Sequence, residues 1–310
     1  MDNLTHSMVG AVLGQMGLKR RSGLAMPTLI IAANIPDIDA TCAIWGTQSL
    51  AMRRGLTHGP LALLLLPLAV TGLMIAFDRW QARREARPHQ RLPVRPAWLL
   101  ILAYIGTLSH PALDWLNSYG IRLLEPFSSR WFYGDTLFII DIWLWALLIA
   151  GFWVSRRKER RGDPRWAAPA RATFAAACIY VLANGLITVH AERETARLLA
   201  SRSAGPVLVV ANPVPVRFWS RAMLWRDDHV YGEGHFSLLD GTVIERRSTP
   251  TGMHDPRIAE IRDTNPDARA FLFWSRMPVA RIEGRELMLT DQRFRGLPVA
   301  KSFTVRASLP

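Results

Sequence analysis

Cysteine is scarce in this chain, with only Cys42 and Cys178 among 310 residues. Both lie in or beside apolar segments, and there is no CxxC pair, so the sequence predicts neither a disulfide framework nor a zinc knuckle. The first residues also lack the positive region that precedes the apolar part of a cleavable signal peptide, and we expect none. We find no internal repeat and no low-complexity tract.

Acidic residues are in the minority, because 25 Asp and Glu stand against 38 Lys and Arg, giving a net charge of +13. A basic balance of this size could indicate a nucleic-acid partner. The basic residues, however, cluster between apolar runs, as they do in cytoplasmic loops beside an anionic membrane. We therefore expect no nucleic-acid partner and predict a protein of the bacterial inner membrane.

Apolar runs divide the first 190 residues into predicted helices. Residues 3–18 and 24–35 predict a helical hairpin, because each run is shorter than the roughly 20 residues that a membrane span needs. The small residues Gly10, Ala11 and Gly14 would let another helix approach closely. Longer apolar runs predict about four spans, over residues 59–77, 97–108, 136–154 and 167–189.

The character of the chain changes after Glu192, where short β-type runs alternate with glycine turns. The predicted fold class is mainly α. A polytopic α-helical membrane domain over residues 1–190, made of the hairpin and about four spans, precedes a small β-rich soluble domain over residues 191–310. No motif in the second domain indicates its role.

The charge pattern also predicts which helix ends lie on the same side of the membrane. If the basic turns at residues 19–23, 78–96 and 155–166 face the cytoplasm, the opposite helix ends lie near the outer leaflet. At 1.5 Å of rise per residue, these ends are about 20 Å above the cytoplasmic side. The residues after 191 would then be periplasmic. Six potential metal ligands share this level: His6, Asp37, Asp39, His58, His110 and Asp114.

Carboxylate and neutral imidazole are ligands that zinc and manganese take in water-activating sites. His110 and Asp114 are four residues apart, so on a helix they share one face. Asp37 and Asp39 cannot share a helix face, but in an extended loop they could complete one shell or bridge two ions. The sequence therefore predicts one or two divalent ions, zinc first and manganese as the alternative.

Two residues are predicted to act in catalysis. Asp39 is a candidate general base if it is not a ligand. Arg54 lies four residues before His58 and is a candidate clamp for an anionic group such as a phosphate. An equally simple interpretation makes Arg54 an anchor beside lipid headgroups.

Each site residue also has a plainer interpretation when it is taken alone. His6 could be a polar surface residue, Asp37 part of a Pro-Asp turn, and His58 a juxtamembrane anchor. Asp114 could pair with Arg122 or another basic residue. Six such groups at one depth are hard to assign to chance, since ionisable groups at membrane depth are costly and tend to be functional. Two further carboxylates are predicted outside the site: Asp135 as a helix cap, and Asp141 as a hydrogen-bond acceptor or a packing group.

Several short motifs together resemble a known family over about residues 1–160. They are NLTHS at 3–7, ANIPDID at 33–39, RGLTH at 54–58, HPALDW at 110–115, NSYG at 117–120 and RWFYGD at 130–135. They resemble the LexA-regulated, membrane-bound family of metal-dependent hydrolases of bacteria. The order His, Asp, His, His-x-x-x-Asp is more distantly similar to zinc-dependent phospholipase C enzymes. The later ligands of those enzymes have no counterpart here.

Chemistry and resemblance together predict a metal-dependent hydrolase, phospholipase-like in the more distant comparison. Its substrate would be an ester or phosphoester of a membrane lipid or lipid-linked molecule at the outer leaflet. No protein partner is indicated. Two other classes stay open: a non-catalytic envelope protein whose helices are held together by a structural metal ion, and an ion transporter. A transporter should show repeat-related halves with broken helices, which the sequence lacks.

Overall fold

The computed structural model describes residues 1–201, 208–296 and 298–309; Val207, in the first predicted strand, lies outside them. The chain divides into two compact units. The first unit comprises Met1–Ile38 and Arg54–Ala183, and the second comprises Asp39–Arg53 and Asn184–Pro310. The predicted fold class is confirmed: a helical membrane part precedes a small antiparallel β part.

Local sequence signals start the helices of the first unit. The carboxylate of Asp2 accepts from the amides of Leu4 and Thr5 at 3.0 and 3.1 Å, which caps the first helix. Pro60 and Pro96 lie in the first turns of two later helices. Amides in a first turn have no partner inside the helix, so a missing amide hydrogen costs nothing there. The helices are α1 Asn3–Gln15, α2 Ala25–Ala32, α3 Ser49–Met52, α4 Pro60–Arg83, α5 Pro96–Trp115, α6 Ile142–Arg160 and α7 Ala168–Ala200, of which α3 and the end of α7 belong to the second unit.

Among the described residues, three helices are long and apolar enough to cross a membrane: α4, α5 and α7. A fourth span results if α2 and the bent segment Ile35–Met52 are counted as one. Helix α6 is not in this group, because its last residues, Arg156 to Arg160, are all charged. It begins at Ile142 rather than at the predicted residue 136, since Asp141 caps it by accepting from the amide of Leu144.

Glycines let α1 and α5 approach α2 at the backbone. A Cβ atom on Gly10 would lie 2.8 Å from the carbonyl oxygen of Leu29, and one on Gly106 would lie 2.8 Å from the same atom. In a membrane, helices associate through close packing, since lipid removes the hydrophobic drive between them. The predicted close approach at Gly10 is present, and Gly106 provides a second one next to the site.

The second unit contains two antiparallel sheets. Strand order is β1-β2-β3-β4 in the larger sheet and β5-β6-β7 in the smaller one. Fully buried aromatic side chains, including Tyr231, Phe236, Phe271 and Trp274, form much of its interior. The elements are β1 Leu208–Pro213, β2 Ser220–Arg226, β3 Val230–Ser237, β4 Gly241–Pro250, α8 Arg257–Thr264, α9 Pro266–Trp274, β5 Pro278–Glu283, β6 Glu286–Asp291 and β7 Thr304–Ser308.

A buried arginine joins β2 to the last part of α7 within the second unit. The guanidinium of Arg221 donates to the hydroxyl of Thr188 at 3.0 Å and to the carbonyl oxygens of Asn184 and Phe218, both at 2.9 Å. The side chain is 1% exposed. A buried charge needs such partners, so this contact fixes the strand against the helix.

Candidate metal centre

Three segments of the first unit bring four potential ligands together. Asp37 follows the end of α2, His58 lies in the loop before α4, and His110 and Asp114 are one turn apart on α5. One ligand atom from each lies within 4.8 Å of the other three. The side chains of His58, His110 and Asp114 are fully buried, whereas that of Asp37 is 8% exposed. Asp37 is therefore the member through which the cluster meets its surroundings.

The hydrogen bonds of His110 determine its tautomer. Its Nδ1 lies 2.7 Å from the carbonyl oxygen of Ala33, which can only accept, so Nδ1 carries the proton. Its Nε2 is buried and makes no hydrogen bond. The nearest oxygens of Asp37 and Asp114 are 3.5 and 3.6 Å from Nε2, which is beyond hydrogen-bond distance. An imidazole held at one nitrogen by a carbonyl, with the other nitrogen bare, is the arrangement of a metal ligand.

Asp114 is the most heavily surrounded member of the cluster. Its Oδ2 lies 2.9 Å from Nε of Arg54 and 3.5 Å from Nε2 of His58. Its Oδ1 contacts the amino group of Met1 and lies 3.3 Å from Nε2 of His6. Basic groups thus offset the buried charge of this carboxylate, as a buried ion requires. Oδ2 itself accepts no hydrogen bond, despite the close guanidinium.

His6 lies beside the four-residue cluster. Its ring stacks on the ring of His110, with centroids 3.8 Å apart and planes inclined by 14°. Burial lowers the pKa of His6 to about 4, against the smaller opposing effect of its hydrogen bond to Asp114, so the ring is neutral at pH 7. His6 therefore supports the ring of His110 and contacts the same carboxylate.

Arg54 is held entirely by protein groups. Besides the ion pair with Asp114, its Nη1 donates to the side-chain oxygen of Asn117 at 2.9 Å. Its guanidinium lies over the ring of Tyr119, 4.7 Å from the centroid. The backbone of Arg54 has a φ of 53°, a left-handed conformation that is costly outside glycine. Its side chain is 4% exposed and pairs with Asp114, and its role as a phosphate clamp stays a prediction.

The turn that carries Arg54 and His58 packs tightly on the loop that follows α5. A Cβ atom on Gly59 would lie 1.8 Å from the carbonyl oxygen of Glu125, and one on Gly55 would lie 2.2 Å from Nη2 of Arg122. No side chain fits at Gly59, because the obstacle there is backbone, whereas a side chain at Gly55 would have to displace the guanidinium of Arg122. Gly59 therefore sets the depth at which His58 enters the unit.

Comparison with protein families identifies the part of the chain that holds this cluster. The model of the YdjM inner membrane protein family matches residues 1–191. The chain belongs to this family. No curated protein and no solved structure matches the chain significantly. Every residue of the cluster lies inside the region matched by the YdjM family, whereas both β-sheets lie beyond it.

This membership and the apolar helices establish a multi-pass membrane protein of an inner-membrane family. It is consistent with the predicted LexA-regulated membrane family. The hydrolase activity and the likeness to phospholipase C stay predictions.

The donor set fits a divalent ion. Two imidazoles and two carboxylates are ligands that zinc accepts, and manganese accepts them too. The bare Nε2 of His110 and the hydrogen-bond-free Oδ2 of Asp114 are buried polar atoms that an ion would satisfy. The hydroxyl of Thr57 lies 2.9 Å from Nδ1 of His58, which gives the second histidine an orienting partner as well. The arrangement does not distinguish between the two metals.

The structure sorts the six predicted ligands into three groups. Asp37, His58, His110 and Asp114 form the cluster, and His6 packs against it. Asp39 belongs to the second unit and is not among the four clustered residues.

The sequence interpretation missed some of the residues that support the site. Asn117 and Tyr119 hold Arg54, and both lie in the NSYG motif, which was noted without a role. The plainer interpretation of Asp114 was a pair with Arg122 or another basic residue, and the guanidinium beside it belongs to Arg54. Asp135 does not cap α6, because Asp141 does, and Asp141 also accepts from the hydroxyl of Tyr180 at 3.0 Å.

Proposed function

We propose that the chain is a metal-dependent hydrolase of the inner membrane. Its substrate would be an ester or phosphoester of a lipid or lipid-linked molecule at the outer leaflet. The observation that carries the proposal is the bare, buried Nε2 of His110 within reach of two carboxylates. Histidine ligands held in this way also occur in purely structural sites, so activity has to be tested separately from metal content.

The ion would be held by Asp37, His58, His110 and Asp114. A divalent ion at such a site supplies Lewis-acid chemistry and makes water a nucleophile near neutral pH. Ala33 and Thr57 orient the imidazoles, and Arg54 positions the carboxylate of Asp114. Burial of three ligands keeps bulk water away, which strengthens electrostatic interactions inside the site.

The surroundings of His58 support an amphiphilic substrate. Leu56, two residues before it, is 63% exposed, and Phe127, close to Glu125, is 74% exposed. Large apolar side chains exposed at the level of a polar centre suit acyl chains better than they suit a soluble metabolite. Aromatic side chains also favour the interface between lipid and water. These exposed apolar side chains support a lipid or a lipid-linked headgroup as the substrate.

The proposed outer-leaflet site requires a periplasmic C-terminal region. Basic residues at 19–21 and 156–161 support a cytoplasmic location for those turns. We expect a reporter that works only in the periplasm to be active when fused after Pro310. An inactive fusion, with an active cytoplasmic reporter at the same place, would reverse the topology.

Metal analysis and activity assays separate the hydrolase from its nearest competitor. An envelope protein without activity, whose helices a structural metal ion holds together, would share two of these features. They are the burial of three ligands and the Arg54–Asp114 pair. Purified full-length protein should contain about one divalent ion, and His110→Ala should lower that content sharply without preventing membrane insertion. The matched control is His229→Ala in the second unit, which should retain the ion.

The decisive assay uses a panel of phospholipids and lipid-linked phosphoesters in mixed micelles. Turnover that disappears in His110→Ala and with a chelator supports the hydrolase. A tightly bound ion with no turnover on any panel member would favour the structural role instead. If His58→Ala and His110→Ala both keep the full metal content, the proposed ligand set is wrong.

A further inference from the structure

The smaller sheet of the second unit has one apolar face and one polar face. Leu287, Leu289 and Val305 alternate on the face that is buried. On the opposite face, Arg281 of β5 and Arg306 of β7 are both registered against Met288 of the central strand. Neighbouring strands are about 4.8 Å apart, so the two arginines start roughly 10 Å from each other. Both are exposed.

A cavity of about 150 Å³ lies on this polar face. Five water molecules would occupy a similar volume in the liquid, at about 30 Å³ each, so the cavity suits a small group rather than a long ligand. Two arginines line it, Arg281 from the sheet and Arg295 from the segment that follows β6. Thr290, Gln292 and Phe294 are also among its lining residues.

The charge of this cavity is positive. Among the described residues that line it, Asp291 is the one acidic residue, and its carboxylate is already paired with the guanidinium of Arg293 at 2.8 Å. Nη1 of Arg295 donates to the hydroxyl of Thr249 at 2.6 Å and lies 3.8 Å from the carboxylate of Glu233. Arg281 is thus left as an exposed cation directed at the cavity, and Arg306 adds a second positive charge to the same sheet face.

Gln292 adds a buried polar atom without a partner. Its Nε2 donates to the carboxylate of Glu233, which identifies the nitrogen and the oxygen of the amide. The remaining Oε1 is buried and makes no hydrogen bond, and the residue is 3% exposed. An amide oxygen accepts hydrogen bonds, so it would satisfy a hydroxyl group of a ligand. Gln292 lines the cavity, so its amide is the candidate partner for a ligand hydroxyl beside the two cations.

We propose that this cavity binds a small phosphorylated polyol, with the phosphate against Arg281 and Arg295 and a hydroxyl against Gln292. Guanidinium groups bind phosphate oxygens through paired, charge-assisted hydrogen bonds. The phosphate could be carried by a soluble polyol phosphate or by a lipid headgroup, and the chemistry of recognition is the same. This site is independent of the metal centre and of any hydrolase activity.

Calorimetry on the full-length protein in neutral detergent tests the site. Inorganic phosphate and glycerol 3-phosphate should bind saturably, and glycerol 3-phosphate should bind more tightly because it adds hydroxyl groups. Arg281→Gln should weaken both at least about tenfold, which corresponds to about 1.4 kcal/mol. Arg281→Lys should recover part of the loss. The matched control is Arg246→Gln, which removes the same charge from an exposed position on β4.

Gln292→Leu distinguishes a polyol phosphate from phosphate alone. It should reduce the preference for glycerol 3-phosphate while leaving inorganic phosphate binding intact. Nanodiscs that contain phosphatidic acid instead of phosphatidylcholine test the lipid source, through a rise in melting temperature that Arg281→Gln abolishes. Phosphate binding that is absent, or that is equally strong in Arg281→Gln and Arg246→Gln, would overturn the proposal.

Discussion

Nε of Arg54 lies 2.9 Å from Oδ2 of Asp114, and both side chains are buried. Removing one partner of a buried ion pair costs about 3–5 kcal/mol, because the remaining charge is left without compensation. We expect Arg54→Met to lower the melting temperature of the chelator-treated protein by several degrees or more. Added zinc should restore part of the loss, since an ion at the cluster would compensate Asp114.

The control for this experiment is Arg79→Met, at an exposed position on α4. It should change the melting temperature little, with or without zinc. Equal destabilisation of Arg54→Met in the presence and absence of metal would argue that Asp114 does not bind an ion.

The close packing of α5 on α2 at Gly106 is expected to set the geometry of the metal site. A Cβ atom there would lie 2.7 Å from Cβ of Ala32 and 2.8 Å from the carbonyl oxygen of Leu29. Gly106→Ala should therefore push α5 away from α2, which separates His110 from Asp37 and lowers metal affinity. Metal titration of the purified variant measures this effect, and we expect a loss of at least about tenfold, comparable to other changes around a metal site.

Gly72→Ala on α4 is the matched control, because no atom lies within 4 Å of the added Cβ. Its metal affinity should equal that of the natural chain. If Gly106→Ala behaves in the same way, the spacing of α2 and α5 does not control the cluster.

Arg221 is expected to hold the second unit together. Replacing it by methionine removes the hydrogen bonds that the guanidinium donates to Thr188, Asn184 and Phe218, and hydrogen bonds from a charged group contribute about 1.5–3 kcal/mol each. We expect Arg221→Met to speed limited proteolysis within the second unit while metal content stays unchanged. Arg217→Met, four residues away and exposed, should be cleaved like the natural chain.

The stability of the second unit should depend on pH through the carboxylate of Asp291. Burial raises its pKa, but the charge of Arg293 and the hydrogen bonds from Arg293 and Ser275 outweigh burial and lower it below 3.8. A group with a depressed folded pKa stabilises fully above its unfolded pKa, and this contribution is lost as the pH falls through the folded pKa. Asp291→Asn should therefore cost about 3–5 kcal/mol at pH 7, because Arg293 loses its buried partner.

The difference between Asp291→Asn and the natural chain should shrink below pH 4, as measured by chemical unfolding monitored at tryptophan. Asp263→Asn, whose side chain is 69% exposed, controls for the change of charge. A pH-independent difference would mean that the carboxylate of Asp291 is not ionised in the folded protein.

Local sequence signals were sufficient to predict most of the cluster. Pro36 predicts that the helix ends before Asp37, and α2 does end before it, at Ala32. A spacing of four residues places His110 and Asp114 on one helix face. Charge and hydropathy predicted that these helix ends lie at one level of the membrane. Sequence could not decide between Asp37 and Asp39, because residues two apart in an irregular 3-10 segment point in different directions.

The partner of Asp114 was not predictable from spacing. Arg54 reaches it through a left-handed backbone conformation, and the turn around it is fixed by Gly59 against Glu125, far along the chain. Such contacts depend on tertiary packing, which no local pattern encodes. Helix α6 illustrates the same limit at shorter range, since the carboxylate of Asp141 stops the helix from starting earlier in the apolar run.

The partial exposure of Asp37 has a consequence for how an ion could enter. Asp37 is the one member of the four-residue cluster with any exposed surface, because His58, His110 and Asp114 are fully buried. Exchange would then proceed by release of a single ligand, at a rate set by motion of the segment after α2. A centre of this kind would exchange its ion slowly, so removal by a chelator and refilling with zinc would both need long incubation.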